Sequence, residues 1–207
     1  MSKLCIINSG HGRLQAPGKR SPILPFDHPL RERIMKEDRQ KLFRYPEWFG
    51  NREITRHIMR MLPKEIKAIE LIPDTENYGQ FLTGRVVKGN KLKADLWLGI
   101  HSDAANNGET FVNAKGHHVF YASAKEEAEL LNHHMQLMFP QRFNRGVHHN
   151  PSSQYPTRFY ELHGTNCKSL ISENFFYSDE EEVRFLLDNL EAIASAHCNF
   201  LIEWSKM

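Results

Sequence analysis

The chain has 207 residues, 25% charged and 40% hydrophobic, which is the composition of an ordinary globular domain and not of a collagen-like, disordered or membrane-spanning chain. Lys and Arg number 27 against 25 Asp and Glu, a formal charge of +2, which excludes a polybasic protein recruited to nucleic acid or an anionic membrane by charge alone. Three cysteines (Cys5, Cys167, Cys198) without a Cys-x-x-Cys pair speak against a disulfide framework or a thiolate zinc finger, whereas 12 histidines form a reservoir of metal ligands.

Leu4 to Ile7 is an apolar run far too short for a signal-peptide core or a membrane span. It reads as a buried strand passing through Asn8 and Ser9 into a turn at Gly10, with His11 at its C-terminal end. The expectation is a chain made in the cytoplasm without a visible signal peptide and with no stable membrane insertion. Residues 13–50 carry Pro17, Pro22, Pro25, Pro29 and Pro46, so a long surface excursion is expected, mostly loop, with a short helix between Leu30 and Phe43. From Asn51 the pattern changes: Ile54, Ile58, Met61 and Leu62 follow helical spacing, Asn51 can cap, and Pro63 stops the run. Ala68 to Ile72 predicts a strand, Phe81 to Leu92 a helix, and Asp95 to Ile100 an apolar strand ending just before His101. Val119 to Tyr121 predicts a further strand, Ala124 to Met138 a helix, and Asn144 to Pro156 a loop. Arg158 to Leu162 and Ser169 to Ser172 read as short strands. Ser178 with Glu181 forms a capping box for one last helix carrying Val183, Leu186, Leu187, Leu190, Ala194, His197 and Leu201.

Strands alternating with helices imply a single α/β domain over residues 1–207: a mostly parallel twisted sheet of about six strands with helices on both faces, binding ligands beyond the carboxyl ends of the strands. His11 and His101 both follow strands, so such a sheet brings them to one edge. Glu173 follows Leu170-Ile171-Ser172 in the same way, and Glu53 lies in the first turn of the Asn51 helix. A catalytic zinc site commonly takes three His or carboxylate ligands, with a further carboxylate to move the proton. Plainer readings stand beside this one. An acid in a helix's first turn is favoured by the macrodipole without any metal, and His57, one turn on, competes with Glu53 as a ligand. Glu161 reads as structural, and Cys167 as a nucleophile would need a histidine base. The pairs His117-His118, His133-His134 and His148-His149 do not chelate one ion easily, because neighbours on a strand or helix diverge. They read as surface or substrate-facing, and His197, inside an apolar stripe, as a core histidine.

Several blocks together resemble a known family. Ile6-Ile7-Asn8-Ser9-Gly10-His11-Gly12 resembles the opening strand and Gly-His-Gly loop of the zinc-dependent N-acetylmuramoyl-L-alanine amidases, which cleave peptidoglycan. Leu82-Thr83-Gly84-Arg85-Val86, Asn90, and Ala94 through Ala104 around His101 are similar to that family's helix and strand leading to its second histidine. Asn144-Arg145-Gly146-Val147, the Phe159 to Leu162 stretch and Leu170 through Asp179 resemble the segment ending in its catalytic glutamate. Ser9, Arg13 and Asn166-Cys167-Lys168 depart from the pattern. The resemblance implies one Zn²⁺ held by His11, Glu53 and His101, with Glu173 as general base and acid, and hydrolysis of the amide between N-acetylmuramic acid and L-alanine. It implies peptidoglycan as partner and action on the cell wall, after phage-type release as for an endolysin. Hydrolysis of another amide or peptide bond, or a non-catalytic wall-binding module, are the competing readings; nothing in the sequence speaks to oligomeric state.

Overall fold

The computed structural model describes residues 3–12, 19–72 and 81–207. Arg13 and Pro17 lie outside the described residues. The apolar runs become strands: β1 (Leu4–Ser9), β2 (Lys67–Leu71), β3 (Leu96–Asp103), β4 (His117–Tyr121), β5 (Asn144–His149) and β6 (Lys168–Phe176). They form one six-stranded sheet in the order β2-β1-β3-β6-β4-β5. Neighbours run parallel except β4 and β6, which are antiparallel, so the sheet is mostly parallel. Helices α1 (Arg31–Glu37), α2 (Glu47–Met61), α3 (Leu82–Lys91), α4 (Lys125–Met138), α5 (Tyr160–His163), α6 (Glu180–Asp188) and α7 (Leu190–Trp204) complete the described elements. None is long and apolar enough to cross a membrane.

Alternation along the central strands divides the core. Leu96, Leu98 and Ile100 of β3 join Cys5 and Ile7 of β1 and Leu170 of β6 in the larger core cluster, with Ile54 and Ile58 of α2, Leu131 of α4 and Leu201 of α7. Trp97 points the other way, packing with Ile6 and with Val86 of α3, and Ile171 packs with Leu162 of α5. Helices therefore cover both faces. The same period puts Asn8, Gly99, His101 and Glu173 on the Trp97 side, as each strand runs out at its C-terminal edge.

Five expectations are corrected. The helix expected from Asn51 begins one turn earlier, at Glu47, because Pro46 takes the extended conformation before it (φ −88°, ψ 129°) and Asn51 is a fully buried interior residue. The excursion packs inward: Leu24, Ile34, Phe43 and Tyr45 are buried, with the Leu24 N–H donating to the Phe43 carbonyl and the Ser21 N–H to the Tyr45 carbonyl, each 2.8 Å. Arg158 to Leu162 is no strand; its second half is the one-turn helix α5. The expected loop at Asn144 instead gives β5, a half-buried polar edge strand without apolar alternation to announce it. The last helix is two, broken at Asn189 (φ −125°), and Asp179, not Ser178, caps the first by accepting from the Glu181 and Glu182 N–H groups. Ser178 instead accepts from the Ala105 N–H at 3.0 Å.

Candidate metal centre

His11 follows β1 in a left-handed turn (φ 55°), a conformation histidine tolerates better than most side chains. Gly10 before it donates its N–H to the Ile100 carbonyl at 2.8 Å, which pins the turn against β3. A Cβ at Gly10 would collide with the imidazole of His101, so glycine here lets the two chain ends close on each other. The rings of His11 and His101 meet edge to face, centroids 5.1 Å apart. Glu47, the first residue of α2, projects between them from a helix N-terminus that favours a carboxylate. Its Oε2 lies 3.5 Å from His11 Nε2 and its Oε1 3.2 Å from His101 Nδ1. Asn51, one turn along α2, donates to Glu47 Oε1 and to the Gly10 carbonyl, 3.2 Å each, and the Ser102 N–H donates to the same Oε1 at 3.3 Å.

These residues fit a catalytic divalent metal. One donor atom from each of His11, Glu47 and His101 lies within 4.8 Å of the others. A tetrahedral ion with bonds of about 2.0–2.1 Å would hold its donors about 3.3 Å apart, close to the separations seen, and two imidazoles with one carboxylate leave a fourth position open. Electrostatics agree: burial opposes ionisation of Glu47, yet the two imidazoles outweigh it and hold the carboxyl well below its usual range. Burial likewise opposes charge on His101, but Glu161 and Glu47 hold that ring well above the ordinary histidine range.

Glu53 is not part of this cluster. Six residues beyond Glu47 on one helix turns about 240° around the axis, so the two carboxylates leave α2 on different sides. Glu53 is engaged by Arg33 of α1 at 2.9 Å, Arg56 at 3.1 Å and Arg52 at 3.6 Å, where it ties α1 to α2. The sequence signal for Glu47 was present as a proline followed by an acid at a helix start, but Asn51 offered a competing cap and drew the boundary past it.

Glu173 lies across β3 from His101 in register and lines the same cleft of about 310 Å³, together with His11, Lys19 and Asp103. Burial, reinforced by the Asp103 carboxylate, pushes its carboxyl well above the usual range, and its buried Oε2 has no hydrogen-bond partner among the described residues. Asp103 is spoken for: one oxygen accepts from the Ala104 N–H at 2.7 Å and the other lies 3.0 Å from His118 Nε2. A β-bulge past Glu173 takes up one extra residue, with Phe175 in the left-handed region (φ 64°). Its fully buried ring, edge-on to Phe139 at 5.5 Å and Phe185 at 4.9 Å, holds that conformation and aims Glu173 into the cleft. Glu161, read from sequence as structural, touches the centre directly, with Oε2 3.0 Å from His101 Nε2.

The remaining histidines separate by environment. His117 and His118 are buried rather than exposed, His117 edge-on to Phe175 and His118 facing Asp103. His148 packs against His118 at 5.3 Å beside Tyr155, while His134 pairs with Glu203 at 2.9 Å. His197 is a core residue, its Nδ1 2.8 Å from the Ile193 carbonyl and its Nε2 3.0 Å from the Ser172 hydroxyl. Cys167 precedes β6 at the opposite end of the sheet from the cleft, and burial raises its thiol to about 11, so it is no nucleophile for this site.

Residues 6–203 match the family described as N-acetylmuramoyl-L-alanine amidase. The chain belongs to that family. Solved amidases share its fold: AmiC2 of Nostoc punctiforme superposes with a TM-score of 0.74 at 18% identity, covering 99% of this chain and 98% of that one. An amidase from Clostridium difficile 630 gives 0.71 at 17% identity, covering 98% and 96%. The catalytic domain of the CD27L endolysin, which targets Clostridia difficile, gives 0.64 at 18% identity, covering 98% of each chain. No curated protein matches the sequence. In this amidase His11, His101 and Glu173 line one cleft, with buried Glu47 against both imidazoles, at the carboxyl edge where parallel α/β sheets bind ligands.

Proposed function

We propose that this amidase uses one zinc ion, held by His11, Glu47 and His101, to hydrolyse the amide between the lactyl group of N-acetylmuramic acid and L-alanine in peptidoglycan, with Glu173 moving the proton. The observation that carries the reading is that, in an amidase-family chain, His11 and His101 of a cluster of three donors within 4.8 Å share one cleft with Glu173, whose buried Oε2 has no hydrogen-bond partner among the described residues. When bound, the metal would polarise the amide carbonyl and acidify a water. Glu173 Oε2 accepts a proton from the attacking water as the new C–O bond forms at the carbonyl carbon. When the C–N bond breaks, the same oxygen delivers that proton to the leaving amine, so water is consumed and L-alanine leaves with a free amino group. The raised carboxyl of Glu173 suits a group that must both take and return a proton. Asp103, engaged by His118 and by backbone, is left as a fixed charge beside it. Action on the cell wall follows from the substrate.

The test is to load chelator-stripped protein with zinc, incubate it with isolated sacculi and identify products by mass spectrometry. Peptides with a free L-alanine amine should appear only with metal, and Glu173→Gln should keep zinc while turnover falls about 10²- to 10⁴-fold. A zinc-loaded protein that cuts a different bond, or releases no peptide from any wall chemotype, would overturn the proposal.

A further inference from the structure

The carboxylate of Glu161, carried on α5, is held by β1 and β3. It is buried, and its two oxygens are divided between two tasks. Oε1 accepts from Asn8 Nδ2 of β1 at 2.6 Å and from Trp97 Nε1 of β3 at 2.9 Å. Oε2 is left facing His101 Nε2 at 3.0 Å. Space for the group exists because residue 99 is glycine: a Cβ there would collide with the Glu161 carboxylate. Trp97, Gly99 and His101 are successive same-face positions of β3, and α5 lays Glu161 along that row. A tie between α5 and the sheet would need only Oε1. The second oxygen is aimed at an imidazole whose other nitrogen faces Glu47.

We infer that Glu161 is a positioning residue for the metal centre, accepting the Nε2–H of His101 so that Nδ1 presents its lone pair to the zinc. An imidazole has one proton to place when neutral, and a carboxylate at Nε2 decides that it sits there. The ring plane is fixed at the same time, since Asn8 and Trp97 leave the carboxylate no freedom to rotate. The inference rests on the zinc reading above.

Glu161→Gln separates this from a structural tie. Its carbonyl oxygen can still accept from Asn8 and Trp97, but an NH₂ group then faces His101 Nε2, donor against donor. Zinc affinity by chelator competition should weaken about tenfold to a hundredfold. In the zinc-loaded proteins, long-range ¹H–¹⁵N spectra should show Nδ1 as the ligating and Nε2 as the protonated nitrogen of His101. The hydrogen-bonded Nε2 proton should resonate far downfield in the wild type and lose that shift in the variant. Unchanged affinity and unchanged ring resonances in Glu161→Gln would overturn the inference while leaving the zinc reading intact. Should the variant not fold, the wild-type spectrum decides alone: ligation through Nε2 of His101 refutes the inference. A wild type that takes up no zinc refutes both.

Discussion

At the scale of single residues the site depends on what is missing as much as on what is present. Gly10 has no side chain because His101 occupies that space, and the same approach lets Asn51 reach the Gly10 carbonyl and Glu47 together. Gly10→Ala should therefore displace the His101 ring and weaken zinc binding on the order of tenfold or more, the scale seen when support around a metal ligand is lost. Chelator competition measures it; wild-type affinity in the alanine variant would mean that the ring does not need this gap. That His11, His101 and Glu173 share one edge was legible in the sequence because each ends an apolar run, and such runs become parallel strands whose C-terminal ends meet. Glu47 was not, since its position depends on which of two plausible caps starts α2, and that choice is made by tertiary packing of Tyr45, Trp48 and Phe49.

Among the elements, α2 shows how packing overrides local preference. Alanine is favoured over glycine in a helix interior by about 1 kcal/mol. Yet at Gly50 a Cβ would strike the hydroxyl of Tyr45, whose ring is fully buried and whose oxygen lies 3.2 Å from the Ser102 hydroxyl. Gly50→Ala should be destabilising by about 1–3 kcal/mol, the usual cost of overpacking, read as a lower urea midpoint with unchanged slope. A stabilised variant would contradict the packing described for this helix. The elements missed from sequence were of one kind. β5 is a polar edge strand without alternation, and α5 is a single turn whose Leu162 packs on Phe120 and Ile171 as a strand residue would. Long periodic elements such as α4 and α7 register in any window, whereas a four-residue turn is settled by what it packs against.

For the whole molecule, the mostly parallel sheet, the helices on both faces and the placing of the cleft at the carboxyl edge followed from strand and helix alternation, whereas the strand order, with β4 antiparallel to β6, did not. Residues 19–46 did not follow from it, since their buried anchors are scattered between prolines without a period. Stability should also carry a signature of the buried imidazoles. Burial lowers His197 to about 4, so between there and the ordinary value near 6.5 the unfolded chain binds more protons than the folded one. Stability from a neutral His197 is thus complete above pH 6.5 and lost as pH falls, about 2 kcal/mol of it by pH 5. Urea unfolding at pH 7.5 and 5.0 should show the wild type's lead over His197→Gln shrinking by that amount; a constant lead would contradict it. If Glu47, and not Glu53, completes the proposed metal centre, zinc titrated into Glu47→Gln and Glu53→Gln separates the two carboxylates. Glu47→Gln should lose stoichiometric zinc while Glu53→Gln, relieved only of its arginine partners, binds as the wild type does; zinc lost from Glu53→Gln and retained in Glu47→Gln would contradict the account.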